Sequence, residues 1–320
     1  MVNNTDINIY KTENRLLAVV GPTATGKSNL SVILAQRLNG EVVSADSVQV
    51  YKNFDIGSGK ITQEEMNGVT HHLLSTYDSS TDYNIALFQR DAAKAIKDVQ
   101  SRNKLPILCG GSGLYVNSLI YKAYQLDEKE CDNELREKYL ALEEQKGKGY
   151  LYNLLKEKYP NRASNLHPND TKRIIRALEI GKDTDTDDIN TKETNAWESN
   201  YELKIIGLTM ERSLLYNRIE ARVDKMIESG LIDEIRSLLD SGVKESSNAM
   251  QALGYKEFIP YINGECTLEE AVNTVKTNTR HFAKRQLTWF RRDPNITWYE
   301  VAKPEDLIDV ANDIEKNYIL

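Results

Sequence analysis

Short apolar runs alternate with amphipathic segments along the first 120 residues of the chain. The apolar runs, which are typical of buried strands, cover residues 16–20, 41–45 and 105–109. The segments between and after them have apolar residues at helical spacing and cover residues 27–38, 84–99 and a stretch from about 114. Strands that alternate with helices predict right-handed crossovers and a parallel sheet with helices on both faces.

The pattern changes near residue 121. Residues 121–180 contain long charged helical stretches and no convincing strand, and residues 181–200 are acidic and turn-rich, which predicts an exposed loop. Strand patterns resume at 203–209 and 296–301, and helical patterns at about 212–240, at 267–290 and at the C-terminus. We therefore predict one α/β core from residues 1–120 and 201–320, with an all-helical insertion domain at residues 121–200.

Composition and charge narrow the class of protein. The chain has 320 residues, of which 40% are hydrophobic and 28% charged, with only 17 Gly and 7 Pro, so a disordered or collagen-like protein is excluded. The formal net charge of −7 argues against a general polyanion binder. The acidic residues are concentrated at 181–202, however, and the basic residues at 172–176 and 276–292. The sequence is therefore compatible with a local basic surface that binds a nucleic acid, despite the negative net charge.

Several features point to a cytoplasmic protein. The N-terminus is polar, without the apolar core of a secretory signal, and no apolar run approaches the length of a membrane span. Cys109, Cys131 and Cys266 have neither disulfide-framework nor zinc-site spacing, which predicts reduced thiols. We interpret the pair His71–His72 as ordinary packing and hydrogen bonding.

The strongest motif is GPTATGKS at residues 21–28, which fits G-x-x-x-x-G-K-[ST] between a predicted strand and a predicted helix. Its glycines allow a tight turn whose N–H groups point inward as an anion nest, and the helix N-terminus adds positive partial charge. Lys27 supplies a full charge, and the Ser28 hydroxyl can ligate Mg²⁺. The fold class is thus predicted to be a P-loop NTPase-like parallel sheet. The motif alone leaves the phosphate compound open, because kinases, ATP-binding NTPases and some transferases share it.

A second candidate group follows the next predicted strand. Asp46 lies in the segment SADSVQVY, beside the mouth of the P-loop, because the carboxyl ends of parallel strands meet at one edge. Position alone leaves two interpretations open, a turn or helix-cap aspartate and a catalytic carboxylate.

Seven sequence blocks are more specific than a P-loop. In chain order they are GPTATGKS, SADSVQVYKNFDIGSGKI, GVTHHLL, GGSGLYVNSLIY, HPNDTKRIIRALEI, QALGYKEFIPY and RHFAKRQLTWFRRD. Together they resemble the tRNA dimethylallyltransferase (tRNA isopentenyltransferase) family of bacterial type, over roughly residues 15–300. Ser28 and Ser112 stand where members often have Thr, and both keep the hydroxyl.

The resemblance implies a reaction and its partners. Such enzymes transfer the dimethylallyl group from dimethylallyl diphosphate to N6 of adenosine 37 in the tRNA anticodon loop, with Mg²⁺. Asp46, as the general base on the adenine amine, and Thr23 are the catalytic residues that the resemblance implies. The partners are tRNA, through its anticodon stem-loop, and dimethylallyl diphosphate, and no membrane or protein partner is implied.

The resemblance also implies binding residues. Those for the diphosphate are Gly21, Pro22, Thr23, Ala24, Thr25, Gly26, Lys27, Ser28, Arg218 and Arg222, with Ser28 as the metal ligand. Those for tRNA are Asp46, Ser47, Val48, Gln49, Ser112, Lys172, Arg173, Ile174, Ile175, Arg176, Gln251, Gly254, Tyr255 and Lys256.

Two basic segments have competing interpretations. Residues 276–292, with interleaved aromatics, fit either an RNA-contacting face or a solvated helix face. Arg173 and Arg176 share one helix face, where they can contact RNA or form ion pairs with Asp170 and Glu179.

Three other functions remain as alternatives. An adenylate isopentenyltransferase performs the same chemistry on free AMP, ADP or ATP. A P-loop kinase or NTP-driven switch shares residues 21–28 but leaves the later blocks unexplained. A non-catalytic RNA-binding module leaves both the P-loop and Asp46 unexplained.

Overall fold

The computed structural model describes residues 14–124, 133–181 and 196–318. The polar N-terminal extension, most of the predicted acidic loop and Cys131 lie outside the described residues. Among the described residues, no helix is both long enough and apolar enough to cross a bilayer.

A six-stranded sheet forms the centre of the fold. Its spatial order is β3-β2-β4-β1-β5-β6, and every neighbouring pair is parallel. The strands are β1 (Arg15–Val20), β2 (Gly40–Ser44), β3 (His71–His72), β4 (Leu105–Gly110), β5 (Glu202–Thr209) and β6 (Ile296–Glu300). This confirms the predicted α/β fold class. Only β3 was not predicted, because a two-residue strand carries no readable hydrophobic pattern.

Strand β1 shows why the sheet is covered on both faces. Leu16, Ala18 and Val20 belong to one buried apolar cluster, whereas Leu17 and Val19 belong to another. Successive side chains of a strand point to opposite faces, so an uninterrupted apolar run requires a core on each side.

The described residues form thirteen α-helices. They are α1 (Lys27–Arg37), α2 (Gln63–Met66), α3 (Ile85–Ser101), α4 (Gly113–Ile120), α5 (Asn133–Lys146), α6 (Tyr150–Lys158), α7 (Pro160–Ser164), α8 (Thr171–Ile180), α9 (Arg212–Glu228), α10 (Leu231–Asp240), α11 (Ile259–Ile262), α12 (Leu268–Phe290) and α13 (Asp306–Tyr318). The helical pattern at 212–240 is two helices, because Gly230 adopts a φ of 93° between them.

The chain divides into two compact units. One contains the sheet and the described residues 14–124 and 197–318, and the other contains helices α5 to α8. The helical unit has its own apolar core, to which Leu151, Leu155 and Ile174 contribute with almost no exposure. The predicted contact of this unit with tRNA stays a prediction.

The strand register decides which loops meet. Val20 at the end of β1 lies opposite Gly110 of β4 and Gly207 of β5, and Ser44 of β2 lies opposite Cys109. The segments that follow β1, β2 and β4 therefore leave the same edge of the sheet, where open α/β sheets bind their ligands.

Candidate active site

The P-loop after β1 adopts the conformation that its glycines require. Gly21 has a φ of 138°, and a Cβ there would lie 2.4 Å from the carbonyl oxygen of Leu208. Ala24 and Gly26 also have positive φ, of 65° and 92°. Ala24 is not a glycine, so this conformation costs roughly 1–2 kcal/mol, a strain typical of functional sites.

Lys27, the first residue of α1, directs its ammonium group back into the loop. Nζ donates a hydrogen bond to the carbonyl oxygen of Pro22 at 2.7 Å, and the Thr25 hydroxyl donates to the same oxygen at 2.9 Å. Burial lowers the pKa of Lys27 to about 8; Arg222 acts in the same direction, whereas Asp46 opposes it. A half-buried ammonium that has no carboxylate of a described residue close to it favours an anionic ligand.

Asp46 makes the turn-capping contacts of one of its two interpretations, and its catalytic role stays a prediction. Its Oδ1 accepts the backbone N–H groups of Val48 at 2.8 Å and Gln49 at 3.2 Å, which is a turn-capping arrangement. Among the described residues, Oδ2 has no hydrogen bond. One carboxylate oxygen therefore holds the turn, while the other is available to a ligand in the cavity that Asp46 lines.

Arg222 of α9 reaches the same site. Its Nη2 donates to the carbonyl oxygen of Gly59 at 3.2 Å, and burial lowers its pKa, an effect that Asp46 opposes. A Cβ on Gly59 would lie 1.6 Å from this Nη2, so only glycine admits the guanidinium there. The side chain of Gln49 donates to the carbonyl oxygens of Ser58 at 3.3 Å and Gly59 at 3.4 Å.

Gln286 of α12 joins two of the loops. Its Oε1 accepts the N–H of Thr23 at 2.9 Å, and its Nε2 donates to the carbonyl oxygen of Gly111 at 3.0 Å. The side chain is buried, and a Cβ on Gly111 would lie 2.3 Å from Nε2. Only an amide supplies one acceptor and one donor at these positions, so Gln286 fixes the P-loop relative to the loop after β4.

These groups surround one cavity of about 280 Å³. Its polar side includes Lys27, Asp46 and Arg222. The apolar side chains that line it, here called the apolar wall, include Ile219, Val223, Met226, Leu253, Val275 and Phe282. Two cationic side chains at the P-loop, together with this apolar wall, suit a small amphiphilic anion.

The cavity brings together only part of the predicted site. The predicted residues that line it are Thr23, Lys27, Ser28, Asp46, Ser47, Val48, Gln49, Ser112, Arg222 and Gly254. Gly21, Pro22, Ala24, Thr25 and Gly26 shape the P-loop without lining the cavity, and Arg218 also lies outside its lining. Gln251 and Lys256 are exposed residues beyond the cavity lining.

Three of the predicted tRNA-binding side chains are buried. Ile174, Ile175 and Tyr255 have exposed fractions of 1%, 5% and 0%, so their side chains pack in apolar cores, and their contact with RNA stays a prediction. Arg173 and Arg176 form the ion pairs that the alternative interpretation named, with Asp170 at 3.4 Å and Glu179 at 3.2 Å. Lys172 is exposed.

Other lining residues were not predicted as part of a site. Gln286 and His71 stand within two of the seven family blocks without having been assigned a role, and Cys109 lies outside those blocks. Burial raises the pKa of Cys109, which keeps it a neutral thiol. Position at a strand end is the one signal that could have identified Cys109, since it comes at the carboxyl end of β4.

The residues fit a magnesium ion better than a transition metal. The described residues contain no group of three or more His, Cys, Asp or Glu side chains that could hold a metal. Ser28 and Asp46 offer hard oxygen donors beside the phosphate-binding loop. Mg²⁺ takes most of its ligands from water and substrate phosphates, so a hydroxyl and a carboxylate at this point are a suitable protein contribution.

The fold and this site define a P-loop α/β protein with an amphiphilic ligand cavity. A sequence profile described as "IPP transferase" matches residues 49–293. The chain belongs to the IPP transferase family. The predicted family is thereby confirmed.

Relatives and solved structures agree with this assignment. The tRNA dimethylallyltransferase of Carboxydothermus hydrogenoformans is 47% identical over 295 residues, which cover 90% of this chain and 93% of the relative. The tRNA dimethylallyltransferase of Halalkalibacterium halodurans is 47% identical, with coverage of 91% and 92%. The crystal structure of full-length tRNA isopentenylpyrophosphate transferase from Bacillus halodurans has a TM-score of 0.71 at 45% identity, covering 95% of this chain and 96% of that one. A structure from crystallographic snapshots of a eukaryotic dimethylallyltransferase acting on tRNA has a TM-score of 0.79 at 29% identity, with coverage of 95% and 80%.

Proposed function

We propose that this chain is a tRNA dimethylallyltransferase. It transfers the dimethylallyl group of dimethylallyl diphosphate to N6 of adenosine 37 in the tRNA anticodon loop and releases diphosphate. The observation that carries this proposal is the cavity itself, where a P-loop, a carboxylate with one unbonded oxygen and an apolar wall meet. The wall suits a short isoprenoid, and the names of the 47%-identical relatives support tRNA as the acceptor.

The substrate diphosphate is expected to bind at the P-loop. Lys27, Arg222 and the loop N–H groups supply positive charge, with Thr23 beside them, where negative charge grows as the diphosphate leaves. Diphosphate-dependent prenyl transfer generally involves a divalent metal, and we propose Mg²⁺, held by Ser28. When bound, the ion neutralises charge on the leaving diphosphate.

Asp46 is proposed as the general base. The adenine amine is a poor nucleophile, because its lone pair is delocalised into the ring. As the bond forms from N6 to the allylic carbon, the bond from that carbon to the diphosphate oxygen breaks and its electron pair leaves with diphosphate. The proton from N6 goes to Asp46, through the oxygen not used in the turn.

The acceptor base must leave its stack to reach such a cavity. Extrusion costs a few kcal/mol and less from a single-stranded anticodon loop. We propose that Ser47, Val48, Gln49 and Ser112 contact the extruded nucleotide, since they line the cavity with Asp46. Filling the cavity with the base would keep water from the allylic diphosphate.

The tRNA body is proposed to contact basic surfaces. On α12, Lys284, Arg285, Arg291 and Arg292 in the segment that follows are exposed. Lys276 and Arg280 instead pair with Asp224 and Glu220, so the C-terminal end of the helix is the stronger candidate. In the helical unit, we propose that Lys172 contacts tRNA, since it is exposed and forms no ion pair with another described residue. The reaction is expected in the cytoplasm, where tRNA is used.

Mass spectrometry of tRNA nucleosides tests the proposal. The protein is incubated with Mg²⁺, dimethylallyl diphosphate and undermodified tRNA that carries adenosine at position 37. We expect one C5H8 unit to be added to that adenosine. Transfer to AMP but not to tRNA would show that tRNA is not the acceptor. ATP hydrolysis without any use of dimethylallyl diphosphate would indicate a kinase or NTPase instead.

A further inference from the structure

One carboxylate from outside the cavity holds the loop at residues 55–59. Glu234 of α10 accepts the N–H groups of Asp55 at 3.1 Å and Ile56 at 2.7 Å through Oε2. Its Oε1 accepts the N–H of Gly57 at 3.1 Å. Three successive backbone donors therefore converge on a single side chain.

Tyr255 extends this arrangement by one residue. Its hydroxyl donates to Glu234 Oε1 at 2.8 Å and accepts the N–H of Ser58 at 3.1 Å. The ring is fully buried and lies 4.9 Å from the ring of Phe54, and a Cβ on Gly57 would lie 2.5 Å from it. A run of inward N–H groups is an anion nest, and here the protein supplies the anion itself.

The loop that Glu234 holds contacts two groups of the active site. The carbonyl oxygen of Gly59 accepts Arg222 Nη2 at 3.2 Å, and those of Ser58 and Gly59 accept the side-chain amide of Gln49. Arg222 and Gln49 line the cavity, whereas Glu234 does not. Gly57, Ser58 and Gly59 of the loop line the cavity as well, so the loop connects Glu234 to a ligand there.

We propose that Glu234, together with the Tyr255 hydroxyl, is a positioning residue that directs Arg222 towards the diphosphate. Without the carboxylate, the N–H groups of Asp55 to Gly57 lose their acceptor and the loop shifts to find others. The Gly59 carbonyl then no longer holds the guanidinium, because that contact depends on the loop backbone. This inference rests on the proposed function, in that it takes a diphosphate as the ligand.

A purely structural role would look different. If Glu234 served only to pack α10 against the sheet unit, its replacement would lower the unfolding temperature and affect ligand binding independently of Arg222. If it acts through Arg222, its effect on diphosphate affinity must disappear when Arg222 is absent. A double-mutant cycle measures this difference.

The probe is inorganic pyrophosphate with Mg²⁺, and the measurement is its Kd by calorimetry. Glu234→Gln keeps the side-chain volume but presents an N–H group to the loop donors, and we expect Kd to rise roughly tenfold. In an Arg222→Ala background, the same substitution should change Kd less than about twofold. The control is Asp233→Ala on the same helix, and we expect no change in Kd. The Asp233 side chain is 84% exposed and, among the described residues, pairs only with Arg236.

Each other result overturns the positioning role. An unchanged Kd in Glu234→Gln overturns it, and so does an equal rise in both backgrounds. Wild-type protein that fails to bind pyrophosphate overturns it as well. If Glu234→Gln does not fold, Tyr255→Phe replaces it in the same double-mutant cycle, because it removes one hydroxyl only. We expect Tyr255→Phe to raise Kd roughly threefold.

Transfer of isoprenoid to tRNA by the wild type is measured in parallel. Wild-type protein that binds pyrophosphate but transfers nothing contradicts the proposed function and leaves the cycle interpretable. Wild-type protein that transfers normally while the cycle is additive contradicts only the positioning role.

Discussion

Two clusters of charge, one buried and one half-buried, lie on the same sheet and are built in opposite ways. Near the start of β2, Glu41 is 2% exposed and receives hydrogen bonds from Arg102 Nη2 at 2.7 Å and Lys104 Nζ at 2.7 Å. His72 Nε2 lies 2.8 Å from the same carboxylate. The side-chain hydrogen bond from Arg102, despite opposing burial, holds the pKa of Glu41 far below its usual range.

At the carboxyl edge the charges are half-buried cations, and they are not compensated in this way. Lys27 and Arg222 donate to backbone carbonyl oxygens, those of Pro22 and Gly59. Within the described part of the chain, no carboxylate oxygen lies within 4.0 Å of either group. Burial accordingly lowers the pKa of both side chains.

The two clusters differ in whether the protein itself compensates the charge, and this difference distinguishes a stabilising cluster from a binding site. A buried charge is costly unless it is paired, and the protein pairs Glu41 internally, so that cluster can serve the fold. The desolvation free energy of the cations at the other edge is not offset until an anion binds, which is the arrangement expected of a binding site. The following predictions run from the largest expected effect to the smallest.

Asp46→Asn should have the largest effect on function. Asparagine keeps an oxygen that can accept the N–H groups of Val48 and Gln49, so the turn is retained. It cannot accept the proton from N6, and we expect the transfer rate to fall about 10²–10⁴-fold. Single-turnover transfer to tRNA measures this, and circular dichroism checks the fold. Full activity would show that Asp46 is not the base.

Glu41→Ala should have the largest effect on stability. It removes the hydrogen bonds that Arg102 and Lys104 donate to the carboxylate. The side chains of these two cations are 40% and 35% exposed and stay hydrated, so we expect the free energy of unfolding to fall by about 1–3 kcal/mol, measured by urea denaturation. Asp98→Ala is the matched control, since Asp98 pairs with the same Arg102 at 2.7 Å but is 59% exposed, and should cost under ~1 kcal/mol.

The Glu41 contribution should also depend on pH. Because its pKa is lowered in the folded protein, its stabilisation is present above the unfolded value of about 4.3 and is lost as pH falls further. The difference in stability between wild type and Glu41→Ala should therefore shrink below that pH. A constant difference down to acid pH would contradict the ionic role.

Lys27 should make diphosphate binding sensitive to alkaline pH. Its pKa of about 8 means that Lys27 in the free protein loses its proton as pH rises through 8. Binding of the anion then requires that Lys27 take up a proton. The affinity for pyrophosphate should fall by up to about tenfold per pH unit above 8. Lys27→Arg is the control, because arginine stays protonated over this pH range. Pyrophosphate itself titrates equally in both experiments, so a comparison of the two profiles removes its contribution. Parallel profiles for the two proteins would exclude Lys27 as the titrating group.

Arg285→Ala should have the smallest effect. Arg285 is exposed and lies 5.7 Å from the ring of Phe282, and we expect tRNA affinity to fall a few-fold, with the salt dependence reduced by about one charge. Lys276→Ala is the comparison, since that ammonium pairs with Asp224 at 2.6 Å and should contribute less. Equal losses, or an affinity indifferent to salt, would argue against a basic face on α12.

The sequence by itself determined the parts that depend on local pattern. The apolar runs and helical spacings predicted five of the six strands, and GPTATGKS predicted the phosphate loop with Lys27 and Ser28 in place. These signals are readable because strand periodicity, helix periodicity and turn chemistry each involve residues a few positions apart.

Only the tertiary structure decided which of these residues share a site. Thr23 and Gln286 are 263 residues apart in the chain, and Gly59 and Arg222 are 163 apart, yet each pair is joined by a hydrogen bond. The burial of the Tyr255 ring in the core was likewise visible only in the folded chain. Pairing and burial depend on how strands and helices meet, and no local pattern encodes those distances, so the paired Glu41 and the unpaired Lys27 could be distinguished only in the folded chain.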